Sequence, residues 1–308
     1  MGDKRMKWLK ITLLFIVILG ILYVLSTSLR LKSDLKEAKK KLDNYRPNQM
    51  NLSYGNIEYL DIGAGETLLV CHGIFGGFDQ GYESVKNFSN NYRIISPSRF
   101  GYLNSDILGN GTPKEQCKAY VELLDKLNIE KVFIVGESAG GTVAIRFALD
   151  YPNRCKGLIL YSSAMPETKK PEKINLHQAP PDFLCNNLAM YLVSPFFKST
   201  MGMDSSVVKT MLPINKRSTG VKIDGKITNP DMAINYDDYT VETIKVPILV
   251  LQAKDDKLTK YDKFIDSVKR FDNITLKVFN SGGHLLVGHD EEIRKTVSHF
   301  IYQANHNN

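Results

Sequence analysis

Near-continuous apolar runs alternate with amphipathic stretches over the middle and the end of the chain. Each apolar run has the length of a strand, and most are followed by a turn or by a helical pattern. A strand that is apolar on both faces needs cover on both faces, as in a parallel sheet between layers of helices. The pattern therefore predicts an α/β fold with a mostly parallel sheet of about eight strands. The predicted strands include NIEYLDIG, ETLLVCHG, YRIISPS, KVFIVG, CKGLILYS, VPILVLQAK and ITLKVFN.

Helix signals separate these strands. In TPKEQCKAYVELLDKLNI, Thr112 is a suitable N-cap and Pro113 stands at the first helical position, before an apolar stripe. The stretch AGGTVAIRFALDYP predicts a second helix that ends at Pro152, and a last helix is predicted from about Glu291 to Ala304.

The alternation is interrupted between residues 166 and 240, where Pro, Asn, Met and Phe are mixed in an irregular and largely helical pattern. This predicts a helical insertion at 166–240, between a first core segment at 47–165 and a second at 241–308. We expect the large apolar side chains of the insertion either to line an acyl or alkyl pocket or to pack among themselves. They are Phe183, Leu184, Met190, Tyr191, Phe196, Phe197, Met201 and Met211.

The N-terminus carries a different pattern. The uncharged run ITLLFIVILGILYVL, from Ile11 to Leu25, is extended by Trp8 and Leu9 to nearly the length of a membrane-spanning helix. We predict a membrane anchor at 1–28 that contacts membrane lipids. A cleaved secretory signal and a buried core helix are the alternatives. Basic residues flank the run on both sides, so the side of the membrane on which the body lies is not predicted.

A charged helix follows the apolar run. Leu31, Leu35, Ala38 and Leu42 recur at helical spacing until Pro47, so residues 29–46 are predicted to form a charged helical stalk. We expect a solvated spacer, with a short contact along the leucine stripe as the alternative. On this interpretation, a body that starts at about residue 47 is soluble and active on its own.

The charge distribution excludes one class of partner. Residues 1–46 hold eleven Lys/Arg and four Asp/Glu, and this is the whole net charge of +7. The remaining chain holds 29 residues of each sign and has no net basic footprint, which argues against nucleic-acid binding. The four cysteines show no paired or metal-like spacing, so neither a metal nor a cofactor is predicted.

A candidate nucleophile lies where an apolar strand meets a helix. Ser138 stands in Gly136-Glu137-Ser138-Ala139-Gly140, and a serine hydroxyl becomes a nucleophile only beside a base that is oriented by an acid. His284 follows the last predicted strand, and Asp255 and Asp256 follow another. The carboxyl ends of parallel strands share one edge of the sheet, so these loops can meet.

A glycine-rich loop follows an earlier strand on the same edge. It runs His72-Gly73-Ile74-Phe75-Gly76-Gly77, and its glycines let backbone N–H groups approach a developing negative charge. We expect His72 to hold its own loop by hydrogen bonds, and Arg99 to be a structural anchor.

The four motifs in this chain order resemble the α/β-hydrolase superfamily, and within it bacterial esterase and lipase-like members with a helical lid. The resemblance covers residues 52–303 and implies that 166–240 is the lid. It also implies that Ser138 is the nucleophile, His284 the base and Asp256 the acid. Asp255 stays a second choice, because Ala253 replaces a glycine of the family pattern, and Glu167 is a further alternative. The backbone N–H groups of Ala139 and Ile74 match the oxyanion donors.

The function expected from these motifs is hydrolysis of a small carboxylic ester through an acyl-enzyme, without a metal or an organic cofactor. A C–C bond hydrolase of dienoic oxo-acids uses the same three residues and is the first alternative. A non-catalytic binding protein on this scaffold is the second.

Overall fold

Eight strands form one sheet in the computed structural model, which describes residues 2–306 of the chain. Their order across the sheet is β1-β2-β4-β3-β5-β6-β7-β8, and β1 and β2 are antiparallel to their neighbours while all other pairs are parallel. The predicted mostly parallel sheet is therefore confirmed. The strands are β1 Asn48–Leu52, β2 Gly55–Ile62, β3 Thr67–Cys71, β4 Arg93–Pro97, β5 Val132–Glu137, β6 Cys155–Tyr161, β7 Ile248–Ala253 and β8 Ile274–Phe279.

The central strands are buried on both faces, as their unbroken apolar sequences require. In the register between β3 and β5, Leu69 pairs with Ile134, and both side chains are inaccessible to solvent. One apolar cluster fills the face covered by α3 and α4, and a second fills the face covered by α2 and α11. These helices are α2 Phe78–Val85, α3 Pro113–Lys126, α4 Gly140–Asp150 and α11 Asp290–His306; α10 Tyr261–Val268 joins β7 to β8.

The chain between β6 and β7 forms the helical insertion, in which no strand occurs among the described residues. It has its own apolar cluster, which includes Met190, Phe197 and Val221. A π-helical turn over Asp224–Thr228 joins the fourth and fifth helices of the insertion without a break. The helices are α5 Asn187–Val193, α6 Phe197–Met201, α7 Val207–Thr210, α8 Ser218–Ile223 and α9 Asn229–Ile234.

The N-terminal helix α1 runs without interruption over Gly2–Tyr45. It is long and apolar enough to cross a membrane, and its most apolar stretch is entirely unburied by the rest of the chain. The alternative of a buried core helix therefore does not hold. The α-helix continues through residues 28 and 29, so no break separates the predicted anchor from the predicted stalk.

The second half of α1 packs on the insertion, which differs from the expectation of a solvated spacer. Leu31 is only 7% exposed and belongs to the apolar cluster of the insertion, with Leu35 and Ala38 packed beside it. Asp34 accepts a hydrogen bond from the hydroxyl of Tyr191 and forms an ion pair with Lys209. The leucine stripe is thus a packing surface. Its partner helices lie more than 150 residues further along the chain.

Farther along, the end of α1 contacts the core. Tyr45 donates a hydrogen bond to Glu83 of α2, and its ring meets the rings of Phe78 and Tyr82 edge-on. Lys41 forms an ion pair with the same Glu83 at 3.1 Å. The helix therefore braces the insertion against α2, and a body that starts at residue 47 loses this brace.

We expect a chain that starts at residue 47 to unfold at a lower temperature than one that starts at residue 26. The shorter chain exposes the surface that Leu31 covers, and burial of one leucine contributes about 1.5–3 kcal/mol, or roughly 3–6 °C in Tm for a domain of this size. Thermal unfolding followed by circular dichroism measures the difference. In the longer chain, Leu31→Ala should lower Tm, whereas Leu29→Ala, at a position that is 73% exposed, should not. Equal Tm values for all four proteins would show that the contact contributes nothing.

Candidate active site

Ser138 lies on a sharp turn between β5 and α4. Its φ is 48°, a left-handed value that a side chain rarely adopts. Hydrogen bonds hold this backbone in place: its N–H donates to the carbonyl of Tyr161, and its carbonyl accepts from the N–H groups of Gly141 and Ala164, each at 3.0 Å. The turn presents the hydroxyl at the carboxyl edge of the sheet.

The two glycines of the motif are required by close packing around the turn. A Cβ atom at Gly140 would lie 2.0 Å from the carbonyl oxygen of Cys71, and one at Gly136 would lie 2.7 Å from the Cβ of Ala144. Neither neighbour can move away, since one is sheet backbone and the other belongs to the helix that follows. Glycine is therefore needed at both positions because α4 starts very close to β3 and β5.

The structure brings Ser138, His284 and Asp256 into one chain of hydrogen bonds. The distance from Ser138 Oγ to His284 Nε2 is 2.9 Å, and the distance from His284 Nδ1 to Asp256 Oδ2 is also 2.9 Å. With an ionised Asp256 as acceptor, Nδ1 carries the proton, and Nε2 accepts from the serine hydroxyl. His284 and Asp256 are buried, while Ser138 is partly exposed.

Asp256 is held as a carboxylate by its surroundings. Burial alone would raise its pKa, but the hydrogen bond and the charge of His284, the hydroxyl of Thr259 and the N–H of Leu258 together hold the pKa below its usual value. The N–H groups of Leu258 and Thr259 donate to Oδ1 at 2.8 and 3.1 Å. Gln252 donates to Oδ2 at 3.1 Å, so both oxygens are fixed.

The two other candidate acids lie elsewhere. Asp255 is exposed and accepts a hydrogen bond from the N–H of Gly283 at 2.9 Å, so it holds the loop that carries His284 without touching the imidazole. Glu167 is exposed, and its backbone carbonyl accepts a hydrogen bond from Arg270. Among the three carboxylates, Asp256 is the one that His284 contacts.

The loop after β3 lies beside the serine. A Cβ atom at Gly73 would lie 3.3 Å from the Cβ of Ser138 and 3.9 Å from its Oγ, so Ile74 follows at a point adjacent to the hydroxyl. Ala139 is the N-cap of α4, and the first N–H groups of a helix lack intrahelical acceptors. Ala139 is the next residue after Ser138 in the chain, and Ile74 directly follows Gly73, the loop residue that lies beside Ser138.

His72 fixes the shape of that loop. It is fully buried, and its burial, together with the charge of Arg99, lowers its pKa well below the usual value, so the ring is neutral. Nε2 accepts the backbone N–H of Arg99 at 2.9 Å, and Nδ1 therefore donates to the carbonyl of Gly73 at 2.8 Å. The expectation that His72 holds its own loop agrees with these contacts.

Sequence comparison identifies related proteins. The chain is 30% identical over 245 residues to a 2-hydroxy-6-oxononadienedioate/2-hydroxy-6-oxononatrienedioate hydrolase from Paraburkholderia phymatum, with 74% of this chain and 84% of the relative covered. A family model described as alpha/beta hydrolase fold matches residues 66–183. The chain is an α/β hydrolase.

Solved structures of similar fold include enzymes of two kinds. A carboxylesterase from Bacillus subtilis superposes with a TM-score of 0.67 at 16% identity, covering 90% of this hydrolase and 98% of that chain. A meta-cleavage product hydrolase from Pseudomonas fluorescens superposes with a TM-score of 0.63 at 20% identity, covering 83% and 98%. At these identities the likeness shows the fold alone, and the superfamily resemblance is confirmed by the family model and the Paraburkholderia relative.

Two buried ion pairs attach the insertion of this hydrolase to the loop after β3. The guanidinium of Arg99 binds both carboxylate oxygens of Asp224 at 2.5 Å each, and it also donates to the backbone carbonyls of His72 and Gly73. In the second pair the cation comes from the insertion: Arg217 binds Asp79 at 3.0 and 2.8 Å. All four charged side chains are nearly inaccessible to solvent. Arg99 is thus a structural anchor.

The apolar side chains expected either to line a pocket or to pack among themselves mostly do the latter. Met190 and Phe197 are buried in the cluster of the insertion, and four others are partly buried against it. Phe183 and Phe196 are instead 71% and 63% exposed. Among residues 2–306 no cluster of His, Cys, Asp or Glu side chains has the arrangement of a metal site, and all four cysteines are free and buried.

Several residues that shape the site were not identified from the sequence. Thr259 and Gln252 hold Asp256, and the spacing Asp256-Lys257-Leu258-Thr259 is that of a local turn in which an aspartate accepts the following N–H groups. Asp224 and Asp79 gave no signal in the sequence, because their partners are more than 120 residues away in the chain.

Glu137 is an unexpected, partly buried acid directly before the nucleophile. Its Oε1 is buried without a hydrogen-bond partner in the described chain, as is the hydroxyl of Tyr161. Burial raises the pKa of Glu137 to about 8, against an opposing hydrogen bond from Ser84. The carboxyl is therefore protonated in the folded hydrolase at neutral pH.

We expect Glu137→Gln to stabilise the fold increasingly as the pH rises from about 4.5 to about 8. Over this range the unfolded chain loses the proton of Glu137 while the folded chain keeps it, so the free energy of unfolding of the wild type falls with rising pH. The glutamine variant lacks this slope. Urea unfolding at a series of pH values measures it, with Glu130→Gln at an exposed position as the control. Parallel pH profiles for Glu137→Gln and the wild type would contradict the raised pKa.

Proposed function

We propose that this α/β hydrolase cleaves a carboxylic ester through an acyl-enzyme on Ser138 and is tethered to a membrane by α1. The observation that carries the proposal is the hydrogen-bond chain from Ser138 through His284 to Asp256. It supplies a nucleophile, a base and an oriented carboxylate in contact with one another, which is what acyl transfer to a serine requires.

In the proposed mechanism, Nε2 of His284 takes the proton of the Ser138 hydroxyl as Oγ attacks the carbonyl carbon of the ester. Asp256 holds the imidazole in the tautomer with the proton on Nδ1 and stabilises the imidazolium that forms. The imidazolium then returns a proton to the leaving alcohol. Water attacks the acyl-enzyme by the same route and releases the acid.

The backbone N–H groups of Ala139 and Ile74 are the proposed donors to the oxyanion. Ala139 lies at the start of α4, where the helix dipole also favours negative charge. Ile74 is held next to Ser138 because Gly73 and His72 are fixed by Arg99. Preformed donors of this kind need no rearrangement when the charge develops.

An ester is favoured over the dicarboxylate named for the Paraburkholderia relative, because the buried cations are already neutralised. The three buried arginines in the described chain are each paired with a carboxylate: Arg99 with Asp224, Arg217 with Asp79 and Arg146 with Asp150. A substrate carboxylate would have to displace one of these partners, whereas a neutral ester does not.

The C–C hydrolase reaction is the second candidate, and the sequence identity to that relative favours it. A non-catalytic binding role is less consistent with a complete hydrogen-bond chain at Ser138. The tether is supported by the length and apolar character of α1. The most apolar stretch of this helix is not buried by the rest of the protein.

We expect the full-length hydrolase to turn over p-nitrophenyl esters faster than a dienoic 2-hydroxy-6-oxo acid, and to react with a fluorophosphonate probe. Ser138→Ala should abolish probe labelling and lower kcat by about 10⁶, judged from other serine triads. The exposed Ser199→Ala serves as the matched control. Faster turnover of the oxo-acid would establish the C–C reaction instead. A folded wild-type protein that neither labels nor turns over either substrate would point to a binding role.

We expect Asp256→Asn to lower kcat far more than Asp255→Asn, by up to about 10⁴, because an asparagine at 256 holds the wrong imidazole tautomer. Asp255→Asn retains an oxygen that can still accept from the N–H of Gly283, so its effect should be small. Steady-state kinetics of the two variants make the comparison. Equally small losses would place the catalytic acid elsewhere.

A further inference from the structure

The apolar segment of α1 is in direct contact with the helical insertion. The hydroxyl of Tyr23 donates a hydrogen bond to the backbone carbonyl of Leu192, at the end of α5, at 3.0 Å. Tyr23 belongs to the uncharged run from Ile11 to Leu25. The contact therefore fixes the position of the insertion along the segment proposed to lie in the membrane.

The continuous helix sets the depth of this contact. Tyr23 precedes the last residue of the apolar run by two positions, which is about 3 Å along a helix axis. Thr27 and Leu31, one and two turns further, are already buried against the rest of the protein. No solvated linker separates the bilayer from the body, so the end of α5 lies at the boundary of the hydrocarbon.

The residues just after this contact suit a lipid surface. Pro195 and Phe196 are exposed, and Lys198 beside them is also exposed. We call these three residues the interfacial patch. Arg30 and Lys32, the first basic residues of α1 after the apolar run, are exposed as well. An exposed aromatic ring with basic residues near it is typical of a surface that inserts at the headgroups of anionic lipids.

We propose that the interfacial patch of the insertion docks into the bilayer that holds α1, with the Phe196 ring among the upper acyl chains and Lys198 at the headgroups. The proposal rests on the proposed membrane tether. The bilayer is the occupant because the patch begins three residues after Leu192, whose carbonyl accepts a hydrogen bond from Tyr23 in the helix proposed to enter the bilayer.

Docking at this point places the acid loop close to the bilayer. Lys257, the residue after Asp256, donates to the backbone carbonyls of Ser199 and Lys198 in α6 at 3.2 and 3.4 Å. The helix that starts directly after Phe196 is thus in contact with the loop that carries Asp256.

The test measures the depth of labelled side chains in the bilayer rather than enzyme activity. Full-length Phe196→Cys, carrying an environment-sensitive fluorophore, is reconstituted into vesicles of phosphatidylcholine and phosphatidylglycerol. The vesicles contain lipids spin-labelled near the headgroup or, in a parallel preparation, deep in the acyl chain. The four native cysteines are buried, so labelling of the folded protein is directed to the new residue. Phe15→Cys reports on the apolar run, and Lys131→Cys, at the opposite edge of the sheet from Ser138, is the control. Lys198→Cys provides a second position on the patch.

We expect the emission from positions 196 and 198 to fall by about half with shallow quenching lipids and position 131 to be unaffected, as for side chains in the interfacial region. Quenching at position 15 by deeper spin labels without quenching at 196 and 198 would overturn the docking while leaving the tether intact. No quenching at any position would overturn the tether as well. Protection of position 196 from aqueous iodide without lipid quenching would assign the patch to a second copy of the chain.

Discussion

The guanidinium of Arg99 is the charge on which the arrangement of the site depends. It lies just past the end of β4, is nearly inaccessible to solvent, and binds Asp224 of the insertion together with the carbonyls of His72 and Gly73. Removing one partner of a buried pair like this costs about 3–5 kcal/mol, because the other charge stays buried. The insertion and the proposed oxyanion loop are therefore positioned by one charge, and neither can shift without disturbing the other.

Features encoded by neighbouring residues could be predicted from the sequence. The unbroken apolar runs predicted the strands because burial on both faces excludes polar residues. The turn at Ser138 could be predicted because Gly136 and Gly140 stand where a Cβ would collide with the surrounding backbone and side chains. Asp256 could be preferred to Asp255 only through the resemblance, since both residues follow β7 and the three-dimensional course of the loop is what brings Asp256 to His284.

Features that depend on contacts between residues far apart in the chain could not be predicted from the sequence or were predicted wrongly. The stripe containing Leu31 was interpreted as a spacer because its cover, around Met190 and Tyr191, lies in an irregular part of the sequence without a clear periodic pattern. The same holds for Asp224, whose carboxylate looks like any solvated acid until the π-helical turn brings it to Arg99. The shielding of the Glu137 carboxyl from solvent could not be predicted either, since a carboxyl between a glycine and a serine suggests an exposed side chain.

The packing of α1 on the insertion also constrains the order in which the protein is completed during synthesis. Leu31 leaves the ribosome long before Met190, and domains generally fold from the N-terminal end as the chain emerges. Throughout that interval the leucine stripe has no partner, and the insertion cannot close its apolar cluster until its own helices return to the beginning of the chain. The first helix made is therefore the surface on which the insertion packs once its own helices have been synthesised.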